Sequence, residues 1–113
     1  MKPIVLKLPH RAAVTGEILR DYTDCPRRLN QDILQVGLDC GIVIDVGWSP
    51  TGNPDGFFII SVFEREWDKQ LIAPIKLKSP SETARLVEQM ASEYSSGRKT
   101  AGAVPGARQA MPG

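Results

Sequence analysis

Histidine occurs once in this chain of 113 residues, cysteine twice, and aromatic residues make up 6% of it. These scarcities remove several chemistries. A zinc site needs four protein ligands, or three and a water. His10, Cys25 and Cys40 have no ligand-like spacing for one. A Ser-His-Asp triad would have to use His10, between Pro9 and Arg11, and no G-x-S-x-G elbow is present. The plain reading of His10 is an exposed polar side chain. Two cysteines without C-x-x-C spacing are too few for a disulfide scaffold and read as free thiols. No apolar run approaches the roughly 18 residues of a membrane span. The start "MKPIVLKLPHR" is not a signal peptide, because Lys7, Pro9 and His10 break its apolar run. The chain therefore reads as cytoplasmic, with no membrane partner.

Net charge is also scarce, at +1, but it conceals a segregation. Residues 1–30 hold six Lys/Arg and three Asp/Glu; residues 31–66 hold Arg65 against Asp32, Asp39, Asp45, Asp55, Glu64 and Glu66. Residues 95–113 hold Arg98, Lys99 and Arg108 and no acid. An acidic middle lies between basic ends. Scattered carboxylates most simply form a solvated surface; the sharper reading is a face that orients a basic protein partner. The same charges disfavour nucleic acid on the sheet.

The apolar pattern predicts an α+β domain. "PIVLKL" (3–8) reads as a short strand between prolines. Over 10–22, Val14, Ile18 and Tyr22 recur at helical spacing and predict a short N-terminal helical segment, which Gly16 weakens. Residues 25–41 fit either a helix from Pro26 to Gly41 or a strand. The run "IVIDVGW" favours the strand. With Asp39-Cys40-Gly41 as a three-residue loop, Leu38 faces Ile42, Val36 faces Ile44, and Leu34 faces Val46, while Gln35 meets Asp45 on the other side. "FFIISVF" (57–63) is apolar at nearly every position and predicts a central strand covered on both faces. "LIAPIKL" (71–77) predicts an edge strand, since Pro74 has no N–H to donate. Ser79, Pro80 and Glu82 form a helix start, and Ala84, Val87, Met90, Ala91 and Tyr94 the apolar stripe of a helix ending by Gly97. The expected fold is a four-stranded antiparallel meander, with the C-terminal helix packed on it. Residues 1–96 form a single domain, and 97–113 read as a flexible, basic Gly/Ala/Pro-rich tail.

The stretch "GWSPTGNPDGFF" (47–58) lacks the G-K-[ST] of a phosphate loop and leads into a strand, not a helix. Its "NPDG" (53–56) is a turn: Pro54 sets the first corner, Asp55 can bond its own backbone and Gly56 tolerates the exit. Trp48 has two readings, a core anchor at the sheet's end or an interface anchor beside a long loop. Trp67 is a second such aromatic. Asp39, Asp45 and Glu64 could approach one another as a catalytic carboxylate group, or form a solvated polar face. The residues expected to bind a partner are Asp45, Trp48, Asp55, Glu64, Glu66 and Trp67. No cofactor is called for.

Over "IVIDVGWSPTGNPDGFFIISVF" and "KLKSPSETARLVEQM", within residues 42–94, the chain resembles small bacterial immunity-type proteins of polymorphic toxin systems. In those, a strand ending near Asp-x-Gly-Trp leads through a Pro/Asn/Asp/Gly turn to a second strand, and a capped helix closes the domain. The resemblance implies a non-enzymatic protein that neutralises a toxin by binding. Alternatives are a dimerising sheet module with a regulatory or scaffolding role, and an enzyme of unidentified class.

Overall fold

The computed structural model describes residues 2–66 and 68–95; Trp67 and the tail at 97–113 lie outside the described residues. Six strands form one antiparallel sheet: β1 (Ala13–Gly16), β2 (Leu34–Gly37), β3 (Ile42–Ser49), β4 (Phe57–Glu64), β5 (Lys69–Gln70) and β6 (Ile75–Leu77). They run in the order β1-β2-β3-β4-β5, and β6 also pairs with β4. One helix, α1 (Pro80–Ser95), follows, and a 3-10 turn at Pro26–Arg28 lies between β1 and β2.

The β2–β3 hairpin has the register expected from its apolar pairs. Leu34 is opposite Val46, Val36 opposite Ile44 and Gln35 opposite Asp45. The Leu38 N–H donates to the Ile42 carbonyl at 2.8 Å, and Gly41 takes the left-handed conformation at φ +89°. A one-residue slip would have turned this apolar set to the wrong face. Pairing continues over eight rungs between β3 and β4, from Ile42–Glu64 to Ser49–Phe57.

The N-terminal helical segment expected over 10–22 is absent. β1 takes its place, paired to β2 from Ala13–Gly37 to Gly16–Leu34. Gly16 adopts φ +89°, which ends any helix, and a Cβ there would collide with the Ile33 carbonyl oxygen. Val14 and Thr15 are β-branched and suit a strand. Ile18, Leu19 and Tyr22 are buried as expected, but from an extended chain, and Val14 is 47% exposed. The strand expected at 3–8 reduces to a bridge between Pro3 and Leu19. Its chain then turns to α1, where the Lys7 N–H donates to the Glu88 carboxylate at 2.7 Å.

At the opposite edge, the strand expected over 71–77 forms only at 75–77 (β6), and a short strand at 69–70 (β5) precedes it. Pro74 lies in the gap between β5 and β6, both of which pair with β4. A residue without an N–H interrupts the ladder it enters. The meander therefore has six strands, not four.

The core lies between one sheet face and the cover made by α1, the N-terminal segment and the buried side chains of Ile18, Leu19, Tyr22, Leu29 and Ile33. Val36, Ile44, Val46, Trp48, Phe58, Ile60 and Val62 face it from the sheet. Ala84, Val87, Met90, Ala91 and Tyr94 meet them from α1, as the helical stripe predicts. Ser79 caps α1: its Oγ accepts from the Glu82 N–H at 3.2 Å.

Two glycines test this account. Gly41→Ala meets no neighbour, so its cost is conformational, about 1–2 kcal/mol. Gly47→Ala would place a Cβ 2.7 Å from the Gln31 carbonyl oxygen, against backbone that cannot easily yield. Urea denaturation is expected to show the larger loss for Gly47→Ala.

Candidate functional site

Strand alternation sorts the sheet into two faces. With Ile44, Val46 and Trp48 on the core face, the other face of β3 carries Val43, Asp45 and Gly47, and that of β4 carries Phe57, Ile59, Ser61 and Phe63. Gln35 and Gly37 of β2 and Thr15 of β1 extend it. Among the described residues no helix packs on this face, since α1 lies on the other; the Gln31 backbone reaches it only over Gly47. The expected cover on both sides of "FFIISVF" is corrected accordingly. Phe57 is 40% exposed. Ile59 and Phe63 are half-buried. One end of the face is fixed by Lys78, whose Nζ lies 4.7 Å from the Phe57 ring centroid and donates to the Asp55 carbonyl at 3.1 Å.

Asp45 sits in the middle of this face, opposite Gln35 and Ser61. It is half-buried, and burial pushes its carboxyl pKa above the ordinary value. A hydrogen bond from Gln35 opposes the shift, and the nearby Asp32 charge adds to it. A carboxylate in a partly apolar surround, short of positive neighbours, gains from a cationic group brought to it.

The other expected site residues lie apart from Asp45. Glu64 is opposite Ile42 and Lys69, on the core-side parity at the far end of β4. Asp55 is exposed at the tip of the β3–β4 loop, and Glu66 is exposed in the turn after β4. Asp39 lies in the β2–β3 loop, 3.6 Å from Arg11. The three carboxylates that could have formed a catalytic group are thus dispersed. Both thiols are free. No group of three potential metal ligands occurs among the described residues.

Trp48 is a core residue, 5% exposed. Its ring meets Phe58 edge-on at 4.8 Å between centroids, and Phe58 lies 5.8 Å from Tyr22. Its indole N–H donates to the Asn53 carbonyl at 2.7 Å. That bond ties the loop to the core. The "NPDG" turn forms as expected, with the Gly56 N–H donating to Asn53 O at 3.0 Å. The local side-chain bond comes from Asn53, whose Oδ1 accepts from the Asp55 N–H, and not from Asp55. A Cβ on Gly56 would collide with the Ser49 carbonyl oxygen, so this loop closes on a glycine.

Beside the loop, a cleft of about 430 Å³ runs past Tyr22, Trp48 and Phe58, with Arg20 and Lys78 among its lining. Its aromatic walls are core side chains, of which Phe58 is 1% exposed. The outward residues Phe57, Ile59 and Phe63 of the open sheet face escaped the sequence reading, as did the approach of Asp32 to Asp45, whereas Gln35 opposite Asp45 was expected from the register. The alternation of β4 against Trp48 was the available signal for the first three.

Two results are expected. Trp48→Ala should lose about 3–5 kcal/mol of stability in denaturant melts, as a core truncation does. For Asp45, a pKa raised by folding means that the fold retains a proton the unfolded chain has released. Its contribution is fully present below the ordinary aspartate pKa and is lost as pH rises through the folded value. Asp45→Asn should therefore raise the melting temperature at neutral pH, and the gain should vanish in acid.

No helix among the described residues is long and apolar enough to cross a membrane. No protein-family model matches the chain, and no curated protein or solved structure matches it.

Proposed function

We propose that this chain is a non-enzymatic protein-binding module that uses the open face of its sheet. One observation carries the reading. The face opposite α1 combines an exposed Phe57, half-buried Ile59 and Phe63, and a half-buried carboxylate at Asp45. Apolar surface surrounding one polar group is the composition of a binding patch, where water is excluded around a directional contact. The partner it suits is a protein presenting a cation to Asp45, within an apolar rim. The turn-and-strand resemblance to immunity-type proteins adds a specific candidate, a basic toxin domain neutralised by occlusion.

The reading assigns the acids different weights. Asp45 contacts the partner directly. Asp55, Glu64 and Glu66 lie at the margins, where charges act mainly on the rate of encounter. Trp48 supports the face from beneath by holding the β3–β4 loop.

Affinity purification of the tagged chain, followed by titration with the captured protein, tests this. Ile59→Lys and Phe63→Ser are expected to weaken binding at least tenfold while the far-ultraviolet circular dichroism and melting curve stay close to the parent's. Arg85→Glu, on the exposed side of α1, is expected to bind normally. Equal binding by all three variants would remove the open face as the functional surface.

A further inference from the structure

We propose that the cleft beside the β3–β4 loop binds a small aromatic carboxylate, with its ring on the aromatic floor and its charge between Arg20 and Lys78. The proposal concerns the core side of the sheet and does not depend on what the open face binds.

Separate stretches of chain meet at this cleft: residues 20–29, the β3–β4 loop at Pro54, and the link from β6 into α1 at Lys78 and Pro80. Its volume of about 430 Å³ lies within the range of small-molecule sites. Tyr22, Phe58 and Trp48 form the floor, fixed against one another at 5.8 and 4.8 Å between centroids. The Leu19 N–H donates to the Tyr22 hydroxyl at 3.0 Å, and the indole N–H of Trp48 to Asn53, so two of the rings are also held by hydrogen bonds. Tyr22 is 8% exposed and Trp48 5%, so contact with a ligand is spread over the rings and not concentrated on one. A flat apolar body suits such a floor, because aromatic rings favour offset and edge-on contacts. The rim is stiff as well: Pro26, Pro54 and Pro80 each enter it, and each has a fixed φ. A site already ordered loses little on binding.

Charge sets the chemistry of the ligand. Arg20 is exposed, and its guanidinium has no hydrogen-bond or ion-pair partner among the described residues. Lys78 has neutral partners, the Asp55 carbonyl and the Phe57 ring, so its charge is not cancelled. Asp21 is the one acid in the lining among the described residues. Its Oδ1 already accepts from the N–H and the hydroxyl of Thr23, at 2.9 and 2.6 Å. Arg28 and Glu17, both near Tyr22, pair with each other at 3.5 Å. Two cations beside one committed carboxylate leave the rim positive. Arg20 offers the planar fork that takes a carboxylate through two hydrogen bonds. The Tyr22 hydroxyl has no acceptor for its own hydrogen among the described residues, and it is a further donor in the wall.

Amide NMR of the full chain, titrated with naphthylacetate, tests this. Shifts are expected at the Trp48 indole N–H and at the backbone of residues 20–23 and 78–81, with the Asp45 and Ile59 amides unmoved. Naphthylacetamide keeps the ring and loses the charge, and it should bind more weakly by about fivefold or more. Acetate, a charge without a ring, should give no saturable shift. Arg20→Gln should weaken naphthylacetate by a similar factor while leaving both the melting curve and the affinity for naphthylacetamide as they were. The comparison of acid with amide needs no variant. Equal binding of the two, full affinity in Arg20→Gln, shifts centred on the open face, or saturation only by a peptide that ends in a free phenylalanine carboxylate would each overturn the proposal.

Discussion

A single helix can cover one face of one sheet, and the rest of this structure follows from that limit. α1 has sixteen residues and spans about 24 Å. Its stripe from Ala84 to Tyr94 takes the face carrying Val36, Ile44, Val46 and Val62. Ile18, Leu19, Tyr22, Leu29 and Ile33, with the N-terminal segment, complete the same layer. The opposite face receives no such layer among the described residues. It must be tolerable in water, and it becomes so by mixing. Asp45, Ser61, Gln35 and Thr15 dilute Ile59, Phe63 and Phe57, while Val43, Gly37 and Gly47 lie buried beneath neighbouring groups. Arg65 occupies the space over Gly37, and the Gln31 backbone the space over Gly47. The face is thus partly closed by local features and open at its apolar margin.

The β3–β4 hairpin supplies the rigidity that such a surface needs. Its eight rungs form the longest ladder in the sheet. At the loop end, Tyr22, Phe58 and Trp48 stack in tilted and edge-on contacts, geometries worth about 0.5–1.5 kcal/mol per pair beyond simple burial. The indole bond to Asn53 extends this order into the loop, and the Gly52 N–H adds a bond to the Leu29 carbonyl at 2.7 Å. The loop is a structural closure. Its function is to fix the end of β4, from which Phe57 projects with Lys78 against it.

The parts of the fold that were legible in the sequence share one property, a local pattern with a single consistent solution. The β2–β3 register was fixed by three apolar pairs and a glycine. α1 was fixed by its cap and stripe. β1 was not legible, because Val14, Ile18 and Tyr22 satisfy a helical period, and only the positive φ of Gly16 and the free backbone groups of β2 reverse the choice. The gap before β6 was implied by Pro74, although its consequence was read as an edge strand and not as a break. For the candidate site, Asp45 was found for its sign and its place opposite Gln35. The outward set of β4 was missed, because "FFIISVF" is apolar on both parities and only a count of available covering elements shows that one face must stay open.

The proposed function rests on an open, half-apolar face with one carboxylate at its centre. Methyl NMR, recorded as the captured partner is added, addresses it most directly. The account predicts shifts at the Ile59 and Val43 methyl groups, with Ile44 and Val87 unmoved in the core. Perturbation confined to α1, or to the cleft beside Tyr22, would contradict it.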